Sequence, residues 1–224
     1  MADTTFSPSG FSGEGLTCIR GERMVFAGLG FAVAAGDALI LSGPNGSGKS
    51  SLLRLMAGLL PPADGALYRD DHDILADPEA HRATLHYVGH QDAVKPMLTV
   101  AENLAFWAGI RHAPQSPPVP QRVADALAAF GLATMADNPA RLLSAGQRRR
   151  LNLARLIASP APLWLLDEPA VALDTASVAV LVRLIAAHRE NSGIVVLSTH
   201  TDLGIEAPQS LVLDDFAVSR AFAP

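Results

Sequence analysis

Three short stretches of this chain carry side chains and backbone groups suited to handling a nucleoside triphosphate. Gly43-Pro44-Asn45-Gly46-Ser47-Gly48-Lys49-Ser50 fits Gly-x-x-x-x-Gly-Lys-Ser. In that pattern glycines let backbone N–H groups approach phosphate oxygens, and the lysine supplies a cation to the β and γ groups. Lys49 and Ser50 open a helix, so its N-terminal N–H groups favour a bound anion, and the Ser50 hydroxyl is a candidate Mg²⁺ ligand. Ser51 completes the predicted nucleotide-binding set. Asp167 closes the apolar run Leu163-Trp-Leu-Leu166. A carboxylate at such a strand end is costly to bury without a cation, so Asp167 is the second candidate ligand for Mg²⁺. Glu168, next in the chain, points to the other side of the strand end and is the candidate general base for an attacking water.

Ser144-Ala145-Gly146-Gln147 satisfies the Ser-x-x-Gln capping-box pattern and predicts a helix start. A capped helix N-terminus attracts anions, so a second copy arranged head to tail could aim Ser144 and Gly146 at the γ-phosphate held by Lys49 of its twin. Each site would then need two chains.

The elements that must hold these groups are legible as short apolar runs. Asp37 to Ser42 reads as a buried strand entering the glycine loop, Ser51 to Leu60 as the helix after it, and Pro61-Pro62 as that helix's stop. Leu163–Leu166 and Ile194–Ser198 are two more strands ending in polar clusters. Such runs suit parallel strands covered on both faces, with ligand groups at their ends, so the fold class is α/β. Ala101 to Ile110 and Gln121 to Phe130 read as helices, joined by a connector through Pro114, Pro117, Pro118 and Pro120. Phe106 and Trp107 are expected to be packed in the interior.

With 224 residues, 49% of them hydrophobic, the chain can bury a full core as one domain. Its mean hydropathy is +0.24, yet no apolar run approaches the ~18 residues of a membrane helix. The first 14 residues lack a basic segment followed by an apolar one and read as a flexible leader. The single cysteine, Cys18, cannot form an internal disulfide, which agrees with a reducing compartment. A formal net charge of −5 leaves no nucleic-acid footprint, and Arg148-Arg149-Arg150 is the one notable basic run. These arginines read first as a solvated or structurally paired face, and second as a hold on phosphate or a partner carboxylate. Asp70-Asp71-His72-Asp73 crowds acids and a histidine into a turn that does not converge on a metal.

The order of the Gly43–Ser50, Ser144–Gln147 and Leu165-Leu166-Asp167-Glu168 stretches resembles the ATP-binding subunits of ABC transporters over nearly the whole chain. That resemblance implies a P-loop NTPase core with a mainly parallel sheet, an N-terminal antiparallel β part, and a helical subdomain inserted at about 92–157 within a domain of residues 15–224. It implies ATP and Mg²⁺ as ligands. Pro169 after Glu168 matches the family pattern for the catalytic base. His200, in Ser198-Thr199-His200, corresponds to the switch histidine at the γ-phosphate. Gln91 matches the glutamine that reaches Mg²⁺ and water and links the site to the transmembrane partner. Ala172-Leu173-Asp174 matches the loop that crosses the dimer. The family has Gly where this chain has Ala145, which bears on whether a left-handed backbone is required there. The family often stacks adenine on an aromatic residue near the position of Arg20; a guanidinium can stack too, and a plain surface arginine is the alternative.

Further stretches, Ser-Ala-Gly-Gln running into Arg-Arg-Arg-Leu151, Val88-Gly-His-Gln91 with Lys95-Pro-Met-Leu-Thr99 and Glu102-Asn-Leu104, and Cys18 to Arg23, resemble the haem-exporter ATP-binding subunits of bacterial cytochrome c maturation. The resemblance implies a peripheral protein at the cytoplasmic face of the inner membrane, paired with a second ATPase subunit and with integral membrane subunits. It implies no nucleic acid and no necessary direct contact with haem. The partner surface is expected near Gln91 and the following loop, at Lys95, Pro96 and Met97, with Phe106 and Trp107 as further contacts should they not be packed in the core. A subunit for another cargo, and a soluble ABC-type ATPase acting on nucleic acid, are the alternative readings. The second is disfavoured by the short interval between Gln91 and Ser144.

Overall fold

The computed structural model describes residues 10–111 and 117–218. Strands β1 (Gly10–Arg20) and β2 (Arg23–Ala34) pair antiparallel, and β3 (Ala38–Ser42) leads into α1 (Lys49–Met56). Next come β4 (Asp64–Arg69), β5 (His72–Asp73), α2 (Pro78–Ala83) and β6 (Leu85–Val88). Three helices follow, α3 (Val100–Ile110), α4 (Val119–Ala129) and α5 (Ala145–Ala158), and then β7 (Leu163–Asp167), α6 (Thr175–Glu190), β8 (Ile194–Ser198) and β9 (Gln209–Val212). One sheet has the order β2-β1-β4-β5 and the other β6-β7-β8-β3-β9. The first is antiparallel throughout and the second parallel throughout.

The parallel sheet is apolar on both faces, which explains runs such as Leu163–Leu166 that do not alternate in hydropathy. Leu163, Leu165, Ile194 and Val196 turn toward α1 and the antiparallel sheet, joining Phe11, Phe26 and Leu52. Trp164, Leu166, Val195 and Leu197 turn toward the helices, joining Leu104, Leu153 and Leu181. Register then aligns the chemistry: Ser198 stands opposite Leu41 on one side and Asp167 on the other. The end of β3, the carboxylate and the β8 hydroxyl therefore share one row at the carboxyl edge of the sheet.

Four sequence-based expectations are corrected. Residues 10–14, read as part of a flexible leader, belong to β1, where Phe11 is buried against the core; residues 1–9 lie outside the described set. Helix α1 opens at Lys49, as the motif requires, but stops at Met56 rather than at the prolines. Gly58, at φ +64°, donates to Leu55 O while Leu59 donates to Arg54 O, a glycine stop that satisfies the last carbonyls before Pro61 is reached. Pro120 lies in the first turn of α4, where its missing N–H is harmless, rather than in the connector; Pro114 falls outside the described residues. Phe106 is 44% exposed, with the Lys95 ammonium 4.7 Å above its ring, while Trp107 is half-buried beneath the Arg155 guanidinium.

The helical layer is tied together by buried polar side chains. Arg122 donates to Pro117 O, Ala158 O and Ala108 O, linking α4 to the ends of α5 and α3. Asn103 in α3 accepts from Lys95 N–H and donates to Lys95 O, which fixes the loop that follows Gln91.

His188 of α6 stacks on Trp164 of β7, ring centroids 3.8 Å apart and planes 6° from parallel. Burial pulls its pKa down from 6.5 to about 4, and burial holds His86 well below the ordinary histidine value as well. An unfolded chain binds a proton at these sites below about pH 6.5, whereas the folded His188 does not until about pH 4. Stability from this source is therefore complete above pH 6.5 and is lost as pH falls toward 4. Thermal melts between pH 7.5 and 4.5 should show a falling midpoint in this window. His188→Phe, which keeps the ring stack, should give a shallower fall, and an unchanged slope would remove His188 from the effect.

Candidate nucleotide site

The loop between β3 and α1 is built around glycines that no other residue replaces cheaply. Gly48, the N-cap of α1, has φ +108°, and a Cβ there would stand 2.6 Å from Val25 Cγ1 and 3.0 Å from Phe26 Cδ1. Lacking a side chain, Gly48 cannot cap α1, and no acidic residue occupies the first turn. The free N–H groups and the helix dipole are thus left for an external anion. Ser47 Oγ is buried without a hydrogen-bond partner, a second polar group awaiting one. Lys49, 7% exposed, folds its ammonium back onto Gly43 O at 2.6 Å and Pro44 O at 3.1 Å. This loop fits a phosphate chain: it offers donors and a cation, and the Lys49 ammonium makes no ion pair with a carboxylate among the described residues. Ser50 and Ser51 follow in the first turn of α1, and the Ser51 hydroxyl meets the Cys18 thiol, whose pKa burial raises. Arg20 is exposed near the β1–β2 turn, on the same strand face as Cys18.

Asp167 is 3% exposed at the end of β7, and the Ser198 hydroxyl donates to its Oδ1 at 2.8 Å. Its Oδ2 accepts no hydrogen bond among the described residues, which suits it to a cation. Glu168 has a left-handed backbone, φ +48°. For a non-glycine residue that costs about 1–2 kcal/mol, so neighbouring groups must hold it. Its N–H donates to Ser198 Oγ at 3.0 Å and Ser198 O at 3.2 Å. The Glu168 side chain lies beside His200, whose Nε2 is 3.3 Å from Glu168 Oε1 without hydrogen-bond alignment. Half of the His200 side chain is exposed.

Gln91 is exposed on the loop after β6 and lines a recess of about 410 Å³ with Asp92, Pro96, Ala145 and Arg148. Ser144 is the N-cap of α5: its Oγ accepts from Gln147 N–H at 3.2 Å, while Gln147 Oε1 accepts from Ser144 N–H at 2.8 Å. Ala145 stays outside the left-handed region, so its backbone has no need of glycine. Gly146 is different, because a Cβ there would stand 3.0 Å from Ala172 O, and Ala172 is itself left-handed at φ +65°. Asp174 caps α6 by accepting from Ser177 N–H at 2.8 Å, and the Ser177 hydroxyl and amide together hold its carboxyl below the usual range. No hydrogen bond joins Ser144–Gln147 to Gly43–Ser50 among the described residues.

The structure thus gathers Lys49, Asp167, Glu168 and His200 at one sheet edge and sets Ser144 on a separate helical layer. Two contributors escaped the sequence reading. Ser198 entered it only as part of a motif, although a hydroxyl at the last position of an apolar strand was a signal. Arg149 was grouped with its two neighbours, although it falls on the buried stripe of α5 with Asn152, Leu153 and Leu156.

Fold and site together define an ATP-binding cassette, and residues 26–171 match the ABC transporter family. The chain belongs to that family as one of its ATP-hydrolysing, ATP-binding proteins, and within it to the CcmA export proteins. It is 58% identical over 214 residues to the cytochrome c biogenesis ATP-binding export protein CcmA of Paramagnetospirillum magneticum, covering 96% of this chain and 98% of that one. The protein of the same description from Rhodospirillum rubrum is 57% identical, over 94% of this chain and 88% of its own. Among solved structures, the ATP-binding subunit of an ABC transporter superposes with a TM-score of 0.82 at 22% identity, covering 91% and 85% of the two chains. An ATP-binding cassette in a dimeric post-hydrolysis state with ADP and phosphate gives 0.80 at 24%, covering 94% and 97%.

Replacing Gly48 with alanine should force apart Val25 and Phe26 and close the loop to phosphate. Nucleotide affinity, measured by fluorescent-nucleotide titration, should fall on the order of tenfold or more while the circular dichroism of the fold persists. Retained affinity would mean the loop can relax around a methyl group.

Proposed function

We propose that this chain binds ATP with Mg²⁺ between two copies of itself, hydrolyses it, and thereby powers haem export or release for c-type cytochrome biogenesis. The cargo reading is carried by the identity of more than half its residues, nearly end to end, with proteins named for export in cytochrome c biogenesis. The hydrolytic reading rests on the pairing of a phosphate cradle at Lys49 with two carboxylates aimed in different directions from one strand end.

In this scheme Gly43 to Ser51 hold the triphosphate, and the Lys49 ammonium exchanges its two carbonyl partners for β- and γ-phosphate oxygens. Ser50, Asp167 and Gln91 are the residues that would hold Mg²⁺, which when bound neutralises charge on the phosphates. Glu168 takes a proton from the attacking water, and His200 orients the γ-phosphate beside it. Ser144, Ala145, Gly146 and Gln147 of the second copy present the N-terminus of α5 to the same phosphate, with Asp174 at the crossing loop between copies. Arg20 is the candidate support for adenine.

The chain would work at the cytoplasmic face of the inner membrane as a peripheral subunit beside integral membrane partners. No helix among the described residues is long and apolar enough to cross a membrane. The patch offered to such a partner lies beside the Gln91 recess, where Met97 is 75% exposed and Phe106 is 44% exposed beside Lys95. Purification from membranes with a polytopic subunit, followed by haem release from that complex on adding ATP, tests the cargo. Release of a different solute and not of haem would refute it.

Glu168→Gln should still bind Mg-ATP and should accumulate as a nucleotide-loaded dimer in gel filtration. Its turnover should drop by roughly 10²–10⁴-fold, the usual contribution of a general base. Wild-type turnover in this variant would remove Glu168 from its assigned role. Ser144→Arg should leave nucleotide binding to the monomer intact and abolish the hydrolysis that depends on pairing. Normal hydrolysis by Ser144→Arg would count against a site shared between chains.

A further inference from the structure

Arg149 is 4% exposed, and its three guanidinium nitrogens all donate. Nε reaches Pro169 O at 3.2 Å, Nη1 reaches Gly89 O at 3.1 Å and Asp92 Oδ1 at 3.2 Å, and Nη2 reaches Asp167 O at 3.1 Å and Glu168 O at 2.7 Å. One side chain of α5 therefore grips three successive carbonyls at the end of β7 and both ends of the turn that carries Gln91. The run of three arginines divides its labour: Arg148 is exposed, and Arg150 donates to Phe130 O.

The residue inside this grip is Glu168, whose φ of +48° is not one its own side chain favours. Its amide donates to Ser198, and its carbonyl accepts from Arg149 at 2.7 Å and from Val171 N–H at 3.2 Å, so the shorter bond to it comes from α5. We propose that Arg149 is a positioning residue for hydrolysis: it holds the Glu168 peptide in the left-handed pose that aims the carboxylate toward His200. Because Arg149 grows from the helix that begins at Ser144 and also bonds Gly89 and Asp92, that pose depends on where α5 and the Gln91 turn stand. A planar fork is required, since a lysine ammonium has three donors around one point and cannot span carbonyls on both sides. This inference rests on Glu168 acting as the base.

A purely structural staple would lower stability and leave the chemistry of the folded fraction alone; a positioning residue acts only through Glu168. Single-turnover hydrolysis by the full-length chain separates the two in a cycle of Arg149→Lys and Glu168→Gln. Arg149→Lys should keep nucleotide affinity within about twofold and slow hydrolysis on the order of 10²-fold, the cost of a misplaced catalytic group. Added to Glu168→Gln, it should slow the residual reaction by less than about threefold, because the group it positions is already gone. Losses that multiply would overturn the inference while leaving Glu168 as the base. Wild-type hydrolysis by Glu168→Gln alone would overturn the base assignment itself. If Arg149→Lys does not fold, Asp92→Ala loosens one anchor of the fork and leaves its carbonyl bonds in place. It should give a smaller loss, about three- to tenfold, that vanishes in the Glu168→Gln background and overturns the inference if it persists there.

Discussion

The peptide between Asp167 and Glu168 is the point on which the site depends. Adjacent strand residues already point to opposite faces, and the left-handed backbone of Glu168 breaks the strand just where its carboxylate comes within 3.3 Å of His200 Nε2. The turn is unfavourable by itself, and three partners offset that cost: Ser198 on β8, Arg149 on α5 and the Val171 N–H that follows it. Ser198 and Arg149 can reach it only if β7 and β8 are in the observed register, Asp167 opposite Ser198, and if α5 lies across the carboxyl edge of the sheet. Strand pairing and helix packing are thereby converted into the aim of one side chain.

The phosphate loop solves the opposite problem. Nothing clamps it from outside; it is kept open by what it lacks. Glycine at the cap leaves the first N–H groups of α1 unclaimed, and the absence of an acid in the first turn leaves the dipole uncompensated. Lys49 fills part of the gap by turning onto Gly43 O and Pro44 O. Those carbonyls are weak neutral partners, so a polyphosphate that replaces them gains charge-assisted bonds without breaking an ion pair first.

Local chemistry made part of this arrangement legible from sequence. The Ser144–Gln147 box needs only four consecutive residues, and both of its bonds form as the pattern requires. Strands β7 and β8 were readable because a sheet covered on both faces demands unbroken apolar runs. Legibility failed where the deciding partner is distant in sequence. The end of α1 turned on Gly58, a nearer stop than the conspicuous Pro61-Pro62. Residues 10–14, the first part of β1, read as leader because Ser and Gly dilute the apolar positions, although Phe11 lies in the core. Arg149 looked like any member of a basic run, since its acceptors lie 18 to 60 positions away.

Ala145 and Gly146 show how the same two layers meet at the cap of α5. Ala145 occupies an ordinary helical position, so a methyl group there is free of backbone strain. Gly146 faces Ala172 O, where a methyl group would press on a carbonyl held in a left-handed turn. The stretch from Asp167 to Asp174 is therefore shaped from three sides, by Ser198, by Arg149 and by the bare backbone at Gly146. A helix that approaches so closely cannot shift along its axis without moving Ala172, and it cannot rotate without withdrawing the Arg149 fork. If Arg149 positions Glu168 as proposed, whatever docks on the cap of α5 acts through the same helix on the turn that carries Glu168.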